Sequence, residues 1–269
     1  MPAFVAEPGM PYWLELTSSQ PRKSTYFYGE FLGWEFEEVS PTYRVARVGG
    51  LPVAAIVEKP AESQLPDTWV TAFLARNLAT TVTRAETLGA HTLAGPTDVW
   101  LGQMALLADP AGALVGLAEA AEENFVAAGE PGTAVWHELV ATNKFDQVAD
   151  FYGELLDWQL LQREGYATAT SDGAPFAGIW DAAGAFPAKV PSFWQSYLGV
   201  SDIDAAIRRV PELGGEVIRE PWDSPFGRLG IVADSTGATL TLCEVEEPAA
   251  EPHEGDPLAG LDLGELGLQ

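Results

Sequence analysis

The sequence predicts an α+β protein built from two tandem copies of one domain, each copy a pair of strand–helix–strand–strand–strand units. Three observations carry this. First, the chain repeats itself at a lag of about 125 residues. Trp13-Leu14-Glu15-Leu16 returns as Trp136-His137-Glu138-Leu139, and Phe27-Tyr28-Gly29-Glu30 returns as Phe151-Tyr152-Gly153-Glu154. Trp34 recurs as Trp158, Trp69 as Trp194, and Asp109-Pro110-Ala111-Gly112-Ala113 as Asp234-Ser235-Thr236-Gly237-Ala238. A same-order match over nearly the whole length marks a duplicated domain rather than a solenoid. Second, the apolar period switches from two to 3.6 and back at regular intervals. Third, glycines punctuate the ends of those runs. At 269 residues there is room for two domains, each long enough to bury its own core.

The elements follow in order. Residues 12–17 alternate like a half-buried strand, and residues 21–32 carry apolar side chains at helical spacing until Gly33 stops the helix. Two strands, 43–48 and 51–57, flank the turn pair Gly49-Gly50. After a polar, Pro-containing link at 59–67 the pattern restarts with strand 69–75, a helix at 78–88 closed near Gly89, and strands 104–108 and 113–118. The second copy reads as strand 135–140, helix 145–156, strands 166–170 and 176–180. It then restarts with strand 193–200, helix 203–213, and strands 229–233 and 238–245. The second strand of each unit is expected to be short, and its pattern is the faintest. The domains are placed at 11–120 and 134–246, with a linker at 121–133. Residues 247–269 are rich in acids, Pro and Gly, a composition that predicts a disordered tail.

Bulk properties exclude several classes. Apolar residues make up 47% and charged residues 20% of the chain, as in globular proteins generally. No stretch approaches the roughly 18 apolar residues of a membrane span. The first nine residues lack the basic start and apolar core of a secretory signal. Cys243 stands alone, so no internal disulfide forms, and a reducing cytoplasm is the expected location. The net charge of −25 repels nucleic-acid phosphates. It reads either as a coat that keeps molecules apart or as a field that favours cationic or neutral ligands. The expected partner is a small molecule, aromatic and neutral or cationic, with neither nucleic acid nor membrane.

The specific motifs are Phe-Tyr-Gly-Glu-x-Leu-Gly-Trp at Phe27 to Trp34 and Phe-Tyr-Gly-Glu-Leu-Leu-Asp-Trp at Phe151 to Trp158. With them stand Val200-Ser201-Asp202-Ile203-Asp204-Ala205 leading into a helix, and the Asp-x-x-Gly-Ala turn before the last strand of each half. Together they resemble the vicinal oxygen chelate superfamily, which includes glyoxalase I, bleomycin-resistance proteins and extradiol dioxygenases. The tandem two-domain subgroup of actinobacterial type is the nearest match. The resemblance implies that paired units curl their mixed sheets into cups that hold a ligand. It also implies a metal in many members, held by the first strand of each unit and the last strand of the second. The last-strand slot, seven residues past the turn aspartate, holds Gly116 and Thr241. The slot near residue 69 and its repeat hold Val70 and Gln195. The first-strand slot holds Trp13, and in the second half either Trp136 or His137, depending on the alignment. Valine, glycine and tryptophan supply no donor for a divalent ion, so no metal or other cofactor is expected. His137 is a weak candidate ligand whose alternative position faces the helix.

Strand alternation places Glu15 with Trp13, and Glu138 with Trp136, on one face. The second cup also offers Gln195, Tyr197 and Thr241. Arg228 is expected either to pair with Glu138 or to clamp an anionic group of a ligand. Indole walls with a few polar groups describe a small-molecule pocket, although the same tryptophans can simply fill a core. Two functions follow. In one, the protein binds a small aromatic metabolite or drug without metal, for resistance, sequestration or an accessory role in biosynthesis. In the other, it is an isomerase, cyclase or hydroxylase-like enzyme acting on an aromatic or polyketide-like substrate, with Glu138 and Arg228 as candidate catalytic residues. Neither a nucleophile elbow nor a phosphate loop is present.

Overall fold

The computed structural model describes residues 3–63, 65–121, 125–187 and 189–247. After β1 (Ala3–Val5), the first unit runs β2 (Pro11–Ser18), α1 (Pro21–Leu32), β3 (Glu35–Ser40), β4 (Tyr43–Val48) and β5 (Leu51–Glu58). The second runs β6 (Thr68–Leu74), α2 (Leu78–Thr87), β7 (His91–Val99), β8 (Gly102–Ala108) and β9 (Leu114–Ala120). β10 (Phe125–Ala127) lies between the halves and pairs antiparallel with β1. The third unit is β11 (Ala134–Ala141), α3 (Phe145–Leu156), β12 (Gln159–Arg163), β13 (Tyr166–Ser171) and β14 (Ala174–Asp181). The fourth is β15 (Phe193–Val200), α4 (Ile203–Glu212), β16 (Glu216–Ser224), β17 (Gly227–Ala233) and β18 (Thr239–Glu244). This is the α+β architecture of four βαβββ units expected from the repeat.

Each half forms one curled sheet of eight strands, ordered β3-β4-β5-β2-β6-β9-β8-β7 and β12-β13-β14-β11-β15-β18-β17-β16. First strands pair antiparallel at the centre (β2 with β6, β11 with β15), and the last strand of each unit lies parallel beside them. The strand after each helix is an edge strand, and all four are exposed along most of their length. With neither face consistently buried they need no alternation, which is why their pattern is faint. β7 and β16, at nine residues each, are longer than expected. Acids on β3 (Glu35, Glu37, Glu38) discourage a second chain from pairing with its open edge. Helix ends follow local chemistry. Asn77 and Asp202 accept hydrogen bonds from the backbone N–H of Thr80 and Ala205, satisfying donors the first turn leaves open. Gly33 closes α1 in the left-handed region, where a residue without Cβ meets no penalty.

Each half has a small apolar cluster of its own in its cup, and two larger clusters are shared between the halves. One apolar cluster joins Phe73, Leu78, Val82 and Leu117 of the first half to Leu139, Phe151, Tyr152 and Ile179 of the second. The other joins Leu16, Phe27, Tyr28 and Ile56 to Leu198, Ile203, Ile207 and Leu242. The helix-bearing faces of the two sheets therefore meet, with α2 beside α3 and α1 beside α4. At about 1.5–3 kcal/mol for each fully buried large apolar side chain, these shared clusters bind the halves to one another.

The repeated motifs do this joining. Trp34 Nε1 donates to the Gly132 carbonyl at 2.7 Å, and its repeat Trp158 Nε1 donates to the Gly9 carbonyl at 2.7 Å. Both glycines sit at positive φ, and a Cβ on Gly9 would lie 2.6 Å from the Leu156 carbonyl oxygen, so only glycine allows the approach. Tyr152, fully buried, accepts from Trp194 Nε1 at 2.7 Å and donates to Asp109 of the other half at 3.0 Å. Tyr28 and Asp234 form the matching pair. Thr71 and its repeat Ser196 meet hydroxyl to hydroxyl at 3.0 Å, which locates the pseudo-two-fold axis between the halves. Part of the expected linker is thus ordered. The tail expectation, from residue 248 onward, lies outside the described residues. Among the described residues no helix is long and apolar enough to cross a membrane.

Candidate functional site

Alternation along β2 and β11 sends Trp13, Glu15, Trp136 and Glu138 to the concave faces, while Leu14, Leu16, His137 and Leu139 turn toward the partner half. In the first cup, Trp13 Nε1 donates to the Tyr43 hydroxyl at 3.2 Å. Burial pushes the Glu15 pKa up to about 7, opposed by a hydrogen bond from Tyr43, and Glu15 Oε2 has no partner among the described residues. The cup is filled from within. Leu101, at the β7–β8 turn, is 3% exposed and packs with Trp13, Ala72, Leu74 and Ala118. Trp100 lies 5.9 Å from Trp13, with the Arg47 guanidinium over its ring. Gly116, small though it is, leaves no room for a ligand. Instead it admits Ala72, whose Cβ would be 2.6 Å from a Cβ placed there.

The second cup is built differently. Glu138 Oε1 accepts from the Tyr166 hydroxyl at 2.9 Å. Its Oε2 accepts from the Tyr197 hydroxyl at 2.9 Å and from Gln195 Nε2 at 3.1 Å. Thr241 Oγ1 donates to Gln195 Oε1 at 3.0 Å, which fixes the amide orientation. Burial raises the Glu138 pKa, and the hydrogen bonds from Tyr166, Tyr197 and Gln195 oppose it. Tyr166 passes so close over Gly178 that any side chain there would collide with it, whereas the first half has Ala55 opposite Glu15. The cup is floored by one carboxylate held by three neutral donors. Above it, Trp136 and Phe226 lie nearly parallel, 6.2 Å apart at 21°, and Phe226 is 6.1 Å from Tyr166. Phe226 occupies the turn position that Leu101 fills in the first half, each just before a positive-φ glycine (Gly102, Gly227), yet Phe226 is 52% exposed.

Arg228 does not join this group. Its guanidinium forms a fork with Asp204 at 3.0 and 2.9 Å and lies 3.6 Å from Glu244. The strand alternates, so Leu229 takes the cup side with Tyr197 and Cys243, and Arg228 faces the start of α4. The expected Arg228–Glu138 pair is thus replaced by a surface ion pair. His137 takes the helix-facing alternative, with Nδ1 2.8 Å from Ser196 Oγ. Tyr43 and Tyr166 escaped the sequence reading although they repeat at the same lag as Glu15 and Glu138. Leu101 and Phe226 were also missed, since hairpin tips carry no apolar period.

The metal that the resemblance implies has no fitting donor set. Trp136, Gln195 and Thr241 occupy the expected positions, and beside them Glu138 offers a carboxylate, already hydrogen-bonded by Tyr166, Tyr197 and Gln195. The imidazole of His137 points away, and among the described residues no three His, Cys, Asp or Glu side chains gather as a metal set.

Residues 134–242 match the family described as Glyoxalase/Bleomycin resistance protein/Dioxygenase superfamily, and residues 13–118 match the Glyoxalase-like domain. The anthracycline biosynthesis protein DnrV of Streptomyces peucetius is 32% identical, over 90% of this chain and 96% of its own length. The chain belongs to the glyoxalase/bleomycin resistance/dioxygenase superfamily. Within that superfamily, putative glyoxylase CFP32 of Mycobacterium tuberculosis is 28% identical, over 87% of this chain and 94% of its own. The Mn(II)-bound glyoxalase of Novosphingobium aromaticivorans superposes with a TM-score of 0.61 at 14% identity, covering 92% of this chain and 89% of its own. A catechol 2,3-dioxygenase gives 0.58 at 11% identity, covering 92% of each chain. At such identities the solved structures share the fold alone.

Proposed function

We propose that this superfamily member binds a small planar aromatic molecule in its second cup without a metal ion. The observation that carries the reading is the aromatic slot of Trp136, Phe226 and Tyr166 above a buried carboxylate that has no cationic partner among the described residues. A ligand ring takes the place of Phe226, which half-exposure leaves free to swing aside, and stacks on the indole. A cationic or hydroxyl group on the ligand then meets Glu138 through the lone pair that Tyr166 leaves open. The names of DnrV and of DauV of Streptomyces sp., a second anthracycline biosynthesis protein 31% identical over 90% of this chain, support an aromatic ligand and a biosynthetic setting.

The test is titration with proflavine, a planar cation, and with a neutral acridine. Trp136→Ala is expected to weaken both by about 1–3 kcal/mol. Glu138→Gln is expected to weaken only the cation, and most at low salt. A fully folded Trp136→Ala variant that binds both dyes unchanged refutes the reading. A second reading, proton transfer in an isomerase-like reaction, is favoured by the Glu138–Tyr166–Tyr197 cluster, where a carboxylate of raised pKa has two phenols in reach. Turnover of an enolisable aryl ketone that is lost in Glu138→Gln would select it.

A further inference from the structure

Between the halves, where β2 and β11 begin beside β10, lies a crevice of about 370 Å³. Repeat-related residues of both halves line it: Trp13 and Trp136, Leu14 and His137, Val53 and Phe176. The lining is mainly apolar and the size suits a small molecule. Among these three pairs, Leu14–His137 breaks the match in polarity.

The hydroxyl chain behind His137 settles its tautomer. Thr71 and Ser196 are 2% and 8% exposed, so each hydroxyl proton needs an internal acceptor. If Nδ1–H donated to Ser196, Ser196 would donate to Thr71, and the Thr71 proton would have no acceptor among the described residues. In the reverse order every proton is used: Thr71 donates to Ser196, and Ser196 donates to Nδ1. The hydrogen of the neutral ring then sits on Nε2. Nε2 makes no hydrogen bond among the described residues, and the half-buried residue lines the crevice. Burial pushes the His137 pKa down to about 4, so the ring is a neutral donor at pH 7.

We propose that this crevice is a second ligand site, which takes a flat, uncharged aryl ketone or quinone whose carbonyl oxygen accepts from His137 Nε2–H. Apolar walls penalise a charged guest, and the net charge of −25 turns anions away. Glu138, Tyr166, Tyr197 and Phe226 do not line the crevice, so it is separate from the aromatic slot of the cup.

The experiment uses the full chain and two near-isosteric probes, 2-acetylnaphthalene and 2-isopropenylnaphthalene, which differ by a carbonyl against a methylidene group. Binding is read by calorimetry. The ketone is expected to bind about five- to tenfold more tightly, the worth of one hydrogen bond. His137→Leu, which restores the residue of the first half, is expected to bind both probes equally, while Glu138→Gln keeps the preference. Ala128→Trp, placed on the crevice wall, is expected to abolish binding of both with an unchanged circular dichroism spectrum. Equal binding of the two probes by the unmodified chain, or no binding of either, overturns the proposal without need of any variant. So does a preference that persists in His137→Leu. Binding that survives Ala128→Trp and disappears in Glu138→Gln assigns the probes to the cup and also overturns it.

Discussion

Glu15 is a carboxyl group in a sealed cup, and its replacement by Gln tests the burial argument quantitatively. Its folded pKa is raised from 4.5 to about 7, so the folded chain takes up the proton more readily than the unfolded chain does. The stabilising contribution of protonated Glu15 is complete below 4.5 and is lost as pH rises through about 7. At about 1.4 kcal/mol for each pH unit of difference, the wild type forfeits on the order of 3 kcal/mol at pH 8. Glutamine copies the shape of the neutral acid and still reaches Tyr43. Glu15→Gln is therefore expected to match the wild type near pH 4.5 and to exceed it by up to about 3 kcal/mol at pH 8. Urea unfolding followed by tryptophan fluorescence at fixed ionic strength reads this difference, and the charge of the remaining acids cancels in it. A gap of the same size at pH 4.5 and pH 8 would show that Glu15 is hydrated or paired, and the reasoning would fail.

Other outcomes follow from the shared cores and the second cup. Tyr152→Phe leaves Trp194 Nε1–H and an Asp109 oxygen unpaired in the interior, so chemical denaturation should show a loss of about 2–4 kcal/mol. Residues 1–133 produced alone should show no cooperative thermal transition, because their apolar faces are completed by the other half; a sharp calorimetric peak would contradict this. Arg228→Ala should leave dye binding in the cup unchanged and alter the melting temperature only slightly, with the change vanishing in high salt. Phe226→Ala should speed dye association in stopped-flow mixing by removing the ring that covers Trp136; an unchanged rate would mean that the tip is no gate.

Much of the fold was legible because buried strands and amphipathic helices print their period on the sequence. Both twelve-residue helices, α1 and α3, were bounded correctly from apolar spacing and stop signals. The edge strands were faint because exposure on both faces removes the constraint that makes alternation. The cups were legible by parity: once β2 and β11 were placed, Trp13, Glu15, Trp136 and Glu138 had to share a face. What parity cannot supply is which strand lies opposite. Tyr43 and Tyr166 reach the carboxylates across the sheet, and Arg228 looked available to Glu138 only while the side of β17 it occupies was unknown. The shared cores were hidden for a related reason: an apolar face shows in the sequence, but the identity of the surface that covers it does not.

Two identical subunits related by a two-fold axis must place the same residue on both sides of it. A ring nitrogen on the axis of such a dimer comes with a twin, and each would crowd the other. Here the halves are stitched into one polypeptide, so one side of the axis keeps Leu14 while the other carries His137, and one hairpin tip is buried in its cup while the other stands half-exposed. Joining the halves turns a mirrored pair of surfaces into two addresses that substitution can revise one at a time.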